Sequence, residues 1–230
     1  MKPIHERRNP LPESSPSIQG RHIRIGGSVL GPRAHICAFF NGPDDEYRVL
    51  LPFIKDGLDA GEKAVHTVDP DRREEHFRQL ESAGLDLTAL RTSGQIEVRT
   101  WIDTHLRDGK FDPDATLELF GRITTAARQQ GYPLIRFVTH MEWALANIPD
   151  LNDLLEYEAK ANEAWLRREQ PVHPVVCTYD LTKFRGDIVV DVMRTHPMII
   201  VGGVLQENPF FVPPAEFLAE LRARRVIPIR

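Results

Sequence analysis

The stretch Ala34-His35-Ile36-Cys37-Ala38-Phe39-Phe40-Asn41-Gly42-Pro43-Asp44-Asp45 decides the fold. A mostly apolar run passes through Asn-Gly-Pro into acidic residues, which reads as a buried strand feeding straight into a helix. In an open α/β sheet such a junction is a ligand position, and a nucleotide binder places its Gly-rich phosphate loop there. Here Asp44, Asp45 and Glu46 suit the positive end of a helix dipole but repel a phosphate. The scaffold matches a nucleotide binder, and the chemistry at its mouth does not.

One near miss to a phosphate loop lies upstream, at Gly26-Gly27-Ser28-Val29-Leu30-Gly31-Pro32-Arg33. Its glycines have the right spacing, but Pro32-Arg33 stands where Lys-Ser/Thr is required. It also precedes the strand that such a loop must follow. The cofactor is unknown, and neither ATP nor GTP is expected.

Downstream, strand-like runs alternate with amphipathic segments. Strands are expected at His35–Phe40, Ala64–Val68, Ile96–Trp101, Leu134–Thr139 (read as fully apolar), Val172–Tyr179 and Met198–Val204, the last hairpinned to Val204–Gln206. Helices are expected at Asp44–Ala60, Arg72–Ala83, Asp114–Gln130, Leu151–Arg168, Gly186–Thr195 and Ala215–Arg224. This alternation predicts βαβ units in an α/β fold: one three-layer domain, a mostly parallel sheet of six to seven strands with helices on both faces. The chain divides into a flexible leader (1–25), a core domain (26–212) and a C-terminal helix and tail (213–230).

The 230 residues carry a net charge of −4 and a pI near 6.1, which argues against a nucleic-acid binder. The basic run Arg222-Ala223-Arg224-Arg225 reads as a solvated helix end. Nothing has the length and apolarity of a membrane span or signal core, and Cys37 and Cys177 read as reduced, buried thiols. A cytoplasmic protein is expected.

Ligands of such sheets bind beyond the carboxyl ends of the strands. Those ends carry Phe39, Phe40 and Asn41; His66 and Asp69; Trp101; His140, Glu142 and Trp143; and Tyr179 and Asp180. Aromatic residues make up only 8% of the chain, so their concentration there suggests an apolar-walled pocket for a small ligand, although each ring could equally pack helix caps. Glu142 is its expected charged anchor, held by His140 or Tyr179. Glu158 and Asn162, at i and i+4, should project inward from one helix face, whereas Glu156 and Glu158 cannot both do so. The expected ligand-binding set is Phe40, Asn41, Trp101, His140, Glu142, Trp143, Glu158, Asn162 and Tyr179. No catalytic residue is assigned.

The histidines His35, His140 and His196 could hold a transition metal together with Cys37 or Cys177. No Cys-x-x-Cys is present, and only His35 and Cys37 pair locally on one strand face. The sequence therefore assigns no metal and leaves His35, Cys37, Cys177 and His196 as weak candidates. His35 at the strand's entry is otherwise a structural hydrogen-bonder away from the pocket, and Cys37 an inert core thiol.

Several motifs then converge. The opening string with Asp44-Asp45 and Leu51-Pro52-Phe53-Ile54-Lys55-Asp56-Gly57-Leu58 resembles the MEDS domain, the sensory domain of methanogens and methylotrophs. Gly94-Gln95-Ile96-Glu97-Val98 with Trp101 is similar to its central strand, and Glu156-Tyr157-Glu158 with Asn162 to its Tyr-Glu…Asn helix. Val176-Cys177-Thr178-Tyr179-Asp180 resembles its fifth strand. Thr195-His196-Pro197, Gly202-Gly203 and Asn208-Pro209 resemble a closing segment of actinobacterial relatives.

The resemblance spans roughly residues 30–212. It implies a RecA/KaiC-like fold lacking the phosphate loop, and a role in sensing small hydrocarbon derivatives. No helix-turn-helix or kinase module is recognisable beside it, so output through a regulatory protein partner is expected, with Asn41–Asp45 and His196–Pro214 as the moving elements. No direct contact with nucleic acid or membrane is expected, and homo-oligomerisation stays open. The rival readings are a residual nucleotide-binding or hydrolytic enzyme, with Glu142 or Glu158 as base, and an oligomerising interaction module.

Overall fold

A computed structural model describes residues 22–146, 150–166 and 172–226. The expected leader up to residue 21, the last two residues of the helix expected to end at Arg168, and the tail beyond residue 226 lie outside the described residues.

A two-stranded hairpin opens the description, β1 (Arg24–Ile25) and β2 (Ser28–Val29). Its two-residue turn is the near-miss loop: Gly26 and Gly27 both have positive φ, at 54° and 71°, as a tight hairpin turn requires. A Cβ on Gly26 would sit 2.8 Å from the Leu205 backbone nitrogen, so this glycine also permits close packing. Ile25 is already core, inside the segment read as leader.

The main chain of elements follows as β3 (His35–Phe40), α1 (Pro43–Asp59), β4 (Lys63–Val68), α2 (Arg73–Ser82), α3 (Leu87–Thr92) and β5 (Ile96–Thr100). Then come α4 (Pro113–Gln129), β6 (Ile135–His140), α5 (Leu151–Leu166), β7 (Val175–Asp180), α6 (Gly186–Met193), β8 (Met198–Val201), β9 (Val204–Glu207) and α7 (Pro214–Val226). The short helix α3 is absent from the sequence expectation. Its signal was Asp86, whose carboxylate caps it by accepting from the Ala89 N–H at 2.9 Å.

The sheet has the order β5-β4-β6-β7-β3-β8-β9, parallel throughout except for β9. From β3 the chain moves outward to β4 and β5, then returns through β6, β7 and β8. The core clusters place α1–α3 on one face and α4–α6 on the other, the arrangement that the right-handed crossover rule expects of two legs running in opposite directions. The two cores follow strand alternation: Ile36, Ala38 and Phe40 pack with α1, while Cys37, Phe39, Cys177 and Tyr179 pack with α5, α6 and α7.

The strand expected to be fully apolar is not. Arg136 in β6 is 1% exposed. Its guanidinium reaches Glu62, the Phe53 carbonyl and, at 3.0 Å, Asp56, and it lies over the Phe53 ring. Gly57 makes room, because a Cβ there would lie 2.4 Å from Arg136 Nε. Among the described residues no helix is long and apolar enough to cross a membrane.

Candidate functional site

On the α5 face, four separate elements bring polar side chains to one buried point. His35 comes from β3, Cys177 and Tyr179 from β7, Glu158 and Asn162 from α5, and His196 from the turn after α6. Each is at most 3% exposed. The i, i+4 spacing turns Glu158 and Asn162 together into the sheet, while Glu156 stays near the surface and pairs with Lys160.

Glu158 is the hub. Its Oε1 accepts from the Tyr179 hydroxyl at 2.7 Å. Its Oε2 lies 3.4 Å from His35 Nε2, 3.3 Å from His196 Nε2 and 4.0 Å from Cys177 Sγ. His35 Nε2 and Cys177 Sγ are 3.6 Å apart. Two imidazoles, one thiol and one carboxylate thus offer four donor atoms within 4.8 Å of one another. A cavity of about 20 Å³ adjoins His35, Glu158 and Cys177, large enough for a single water.

Burial opposes charge at every one of these groups, but the neighbours decide the outcome. Glu158 is driven by burial toward neutrality, yet His196 and His35 hold its carboxyl below the usual range. His196 is likewise opposed by burial, yet Cys37, Glu158 and Cys177 raise it well above the ordinary histidine value. His35 is lowered by burial and then by His196. The Cys177 thiol is pushed up to about 12 by burial and by Glu158. The arrangement is one buried anion sharing one buried cation.

Beyond the strand ends on the opposite face lies a second network. Arg72 Nη2 sits 3.5 Å from Glu46, and its Nη1 3.5 Å from Glu142. Lys183 reaches Glu142 at 3.4 Å, and His140 Nε2 lies 3.1 Å from Glu46. Burial pushes Glu46 up to about 7 and His140 down to about 4. Behind them Tyr47, His76 and His66 form a buried hydrogen-bonded chain with contacts of 2.8 and 2.9 Å.

The residues expected to share one strand-end pocket are therefore divided by the sheet. Glu158, Asn162 and Tyr179 meet, and they meet His35, which was expected to lie apart from them. Phe40 is core on the α1 face and Asn41 is exposed, its N–H bonded to Asp45 at 3.1 Å. Trp101 is half-buried in the 3₁₀ turn after β5, against the α5-side core. Trp143 is fully buried, stacked on His105 at 4.6 Å between ring centroids. Glu142 is held by Arg72 and Lys183 rather than by His140 or Tyr179.

Of the weak metal candidates, His35, Cys177 and His196 come together, Cys37 borders them, and His140 belongs to the other network. Glu158 completes the set, a carboxylate that its helix position flagged as inward but that no local metal-binding spacing revealed. Arg72 and Glu46 were missed because nothing in their local sequence marks them as partners.

A mostly parallel sheet covered on both faces, with no Gly-Lys phosphate loop after its first long strand, defines an open three-layer α/β protein. The fold agrees with that of a KaiC-like protein from the hyperthermophilic archaeon Pyrococcus horikoshii OT3 at a TM-score of 0.52 and 16% identity, covering 76% of this chain and 73% of that one. Residues 34–197 match the model of the MEDS family, the methanogen/methylotroph, DcmR sensory domain, and the chain belongs to that family. It is also 24% identical over 176 residues to the transcriptional repressor DcmR of Methylorubrum extorquens strain DM4. That alignment takes in 75% of this chain and 62% of the repressor, so the chain spans under two thirds of its length. A sensory, regulatory role follows from the family.

Proposed function

We propose that this domain binds a small organic molecule at the polar cluster around Glu158 and passes the signal to a separate regulatory protein. The observation that carries this reading is the cluster itself. A buried carboxylate with two imidazoles costs more to desolvate than an apolar filling would, so stability alone gives no reason for it. Polar atoms of the cluster, Asn162 Nδ2 among them, find no hydrogen-bond partner among the described residues. Such groups are free to orient a ligand's polar end, while Trp143, Tyr157 and Phe39 supply apolar surroundings.

The strand-end crevice favours a different role. Glu46 and Glu142 lie there with Arg72 already engaged between them, and their carboxylates disfavour a phosphate where a KaiC-like sheet would receive one. This supports a sensor over a nucleotide-hydrolysing enzyme.

The cavity beside Glu158 has room for only one water, so any larger ligand requires α5 or the segment 196–214 to move. A ligand shifts such an equilibrium only through its different affinity for the two states. Hydrogen exchange of the purified chain, with and without a panel of one- to four-carbon alcohols, halides and carboxylates, tests this. Altered exchange in α5 and residues 196–214 with one class is expected. Unchanged exchange across the panel overturns the reading.

A further inference from the structure

We propose that His35, Glu158, Cys177 and His196 form a binding site for a divalent transition metal of the zinc class. This inference stands on the geometry of the four donors and does not depend on the ligand-sensing reading above.

The first argument is the shape of the donor set. Tetrahedral zinc binds nitrogen and oxygen at about 2.0–2.2 Å and thiolate sulfur at about 2.3 Å, which puts neighbouring donors about 3.3–3.7 Å apart. The distances here are 3.4 and 3.3 Å from Glu158 Oε2 to the two imidazoles, and 3.6 Å from His35 Nε2 to Cys177 Sγ. Cys177 Sγ to Glu158 Oε2, at 4.0 Å, is slightly long, and the two edges from His196 to His35 and Cys177 fall within the 4.8 Å that encloses all four donors. Two nitrogens, one sulfur and one oxygen are a borderline-soft set that suits zinc, cobalt(II) or iron(II) and not magnesium or calcium.

The second argument is that the cluster is poorly satisfied as a hydrogen-bond network. His196 Nδ1 faces the Val192 carbonyl at 3.0 Å, an acceptor that requires the proton to sit on Nδ1. That leaves Nε2 turned toward the Glu158 carboxylate. Nε2 makes no hydrogen bond in spite of lying 3.3 Å from that oxygen. Backbone-fixed imidazoles of this kind are the usual outer-shell support of metal-ligating histidines. Tyr179, donating to the other oxygen of Glu158 at 2.7 Å, supplies the same support to the carboxylate. The donors come from β3, α5, β7 and the α6–β8 turn, so one ion would tie together four elements far apart in sequence.

The experiment uses the full chain purified without chelator. Metal analysis is expected to find about one zinc or iron per chain. After chelation, titration with cobalt(II) is expected to give tetrahedral visible bands and a near-ultraviolet sulfur-to-cobalt charge-transfer band. Cys177→Ser should remove the charge-transfer band and weaken cobalt binding at least about tenfold, whereas Cys37→Ser should keep both. X-ray absorption of the wild-type metal needs no variant and should show one sulfur at about 2.3 Å with nitrogen or oxygen at about 2.0 Å. The proposal is overturned if the wild-type chain holds no metal and takes up no cobalt(II), if absorption shows no sulfur, or if only Cys37→Ser loses the band.

Discussion

Replacing Tyr179 with Phe removes a single hydroxyl from the buried cluster and leaves its ring in place. The phenyl keeps its packing against Phe39 and Phe184, at 5.7 and 5.1 Å between centroids, so no cavity is made. What is lost is one O–H bond of 2.7 Å to a carboxylate that is 0% exposed. A hydrogen bond to an ionised group contributes about 1.5–3 kcal/mol, against about 0.5–1.5 kcal/mol for a neutral one. Because His196 and His35 hold Glu158 ionised, the larger figure applies, and for a chain of this length it lowers Tm by about 3–12 °C. Urea unfolding of wild type, Tyr179→Phe, Glu158→Gln and the double variant, all chelator-treated, measures both the loss and the coupling. The expected coupling is about 1 kcal/mol or more. A Tyr179→Phe loss below about 0.5 kcal/mol with no coupling would refute an ionised Glu158 at this position.

Gly57→Ala, which in an open helix would stabilise by up to about 1 kcal/mol, is expected to destabilise by about 1–3 kcal/mol, because Arg136 is pinned and cannot yield; unfolding midpoints decide it. Trp143→Ala should cost about 3–5 kcal/mol by opening a cavity in a fully buried aromatic cluster, visible as early melting. Acidification from pH 7 to 5 should destabilise the chain in a pH series of urea midpoints, His76, lowered well below its ordinary value by burial, adding to the loss. His66, His105 and His140 are lowered to about 3, 3 and 4, so their contribution is complete above about 6.5 and is lost as pH falls, roughly 2 kcal/mol each over this interval. Glu46, raised to about 7 and facing His140, Arg72, Thr178 and Asp180, works the other way, adding somewhat under about 3 kcal/mol as pH falls from 7 to 5. Glu46→Gln should therefore steepen the acid loss, and an unchanged profile would remove Glu46 from this account.

The sequence by itself determined the layers and the long elements, though not the short helix α3 or the β1–β2 hairpin. Alternating apolar strands and amphipathic helices leave few arrangements open to a chain of this length, and Gly61, Gly84 and Gly131 mark where α1, α2 and α4 stop. It also placed Glu158 and Asn162 on one inward helix face, since a period of 3.6 residues is a local property. Arg136 escaped that reading because a lone basic residue in an apolar strand looks the same whether its partners exist or not, and Glu62 and Asp56 lie more than seventy positions away. Only the tertiary structure decided the site. Which face of β7 carries Cys177 is local information, but that His35, Glu158 and His196 converge on that face depends on strand order and crossover handedness. The same topology put His140 and Glu142 beyond the sheet from Tyr179, separating residues that proximity to strand ends had grouped. Alternation fixes which side chains share a face of one strand; the order of strands fixes which of them meet.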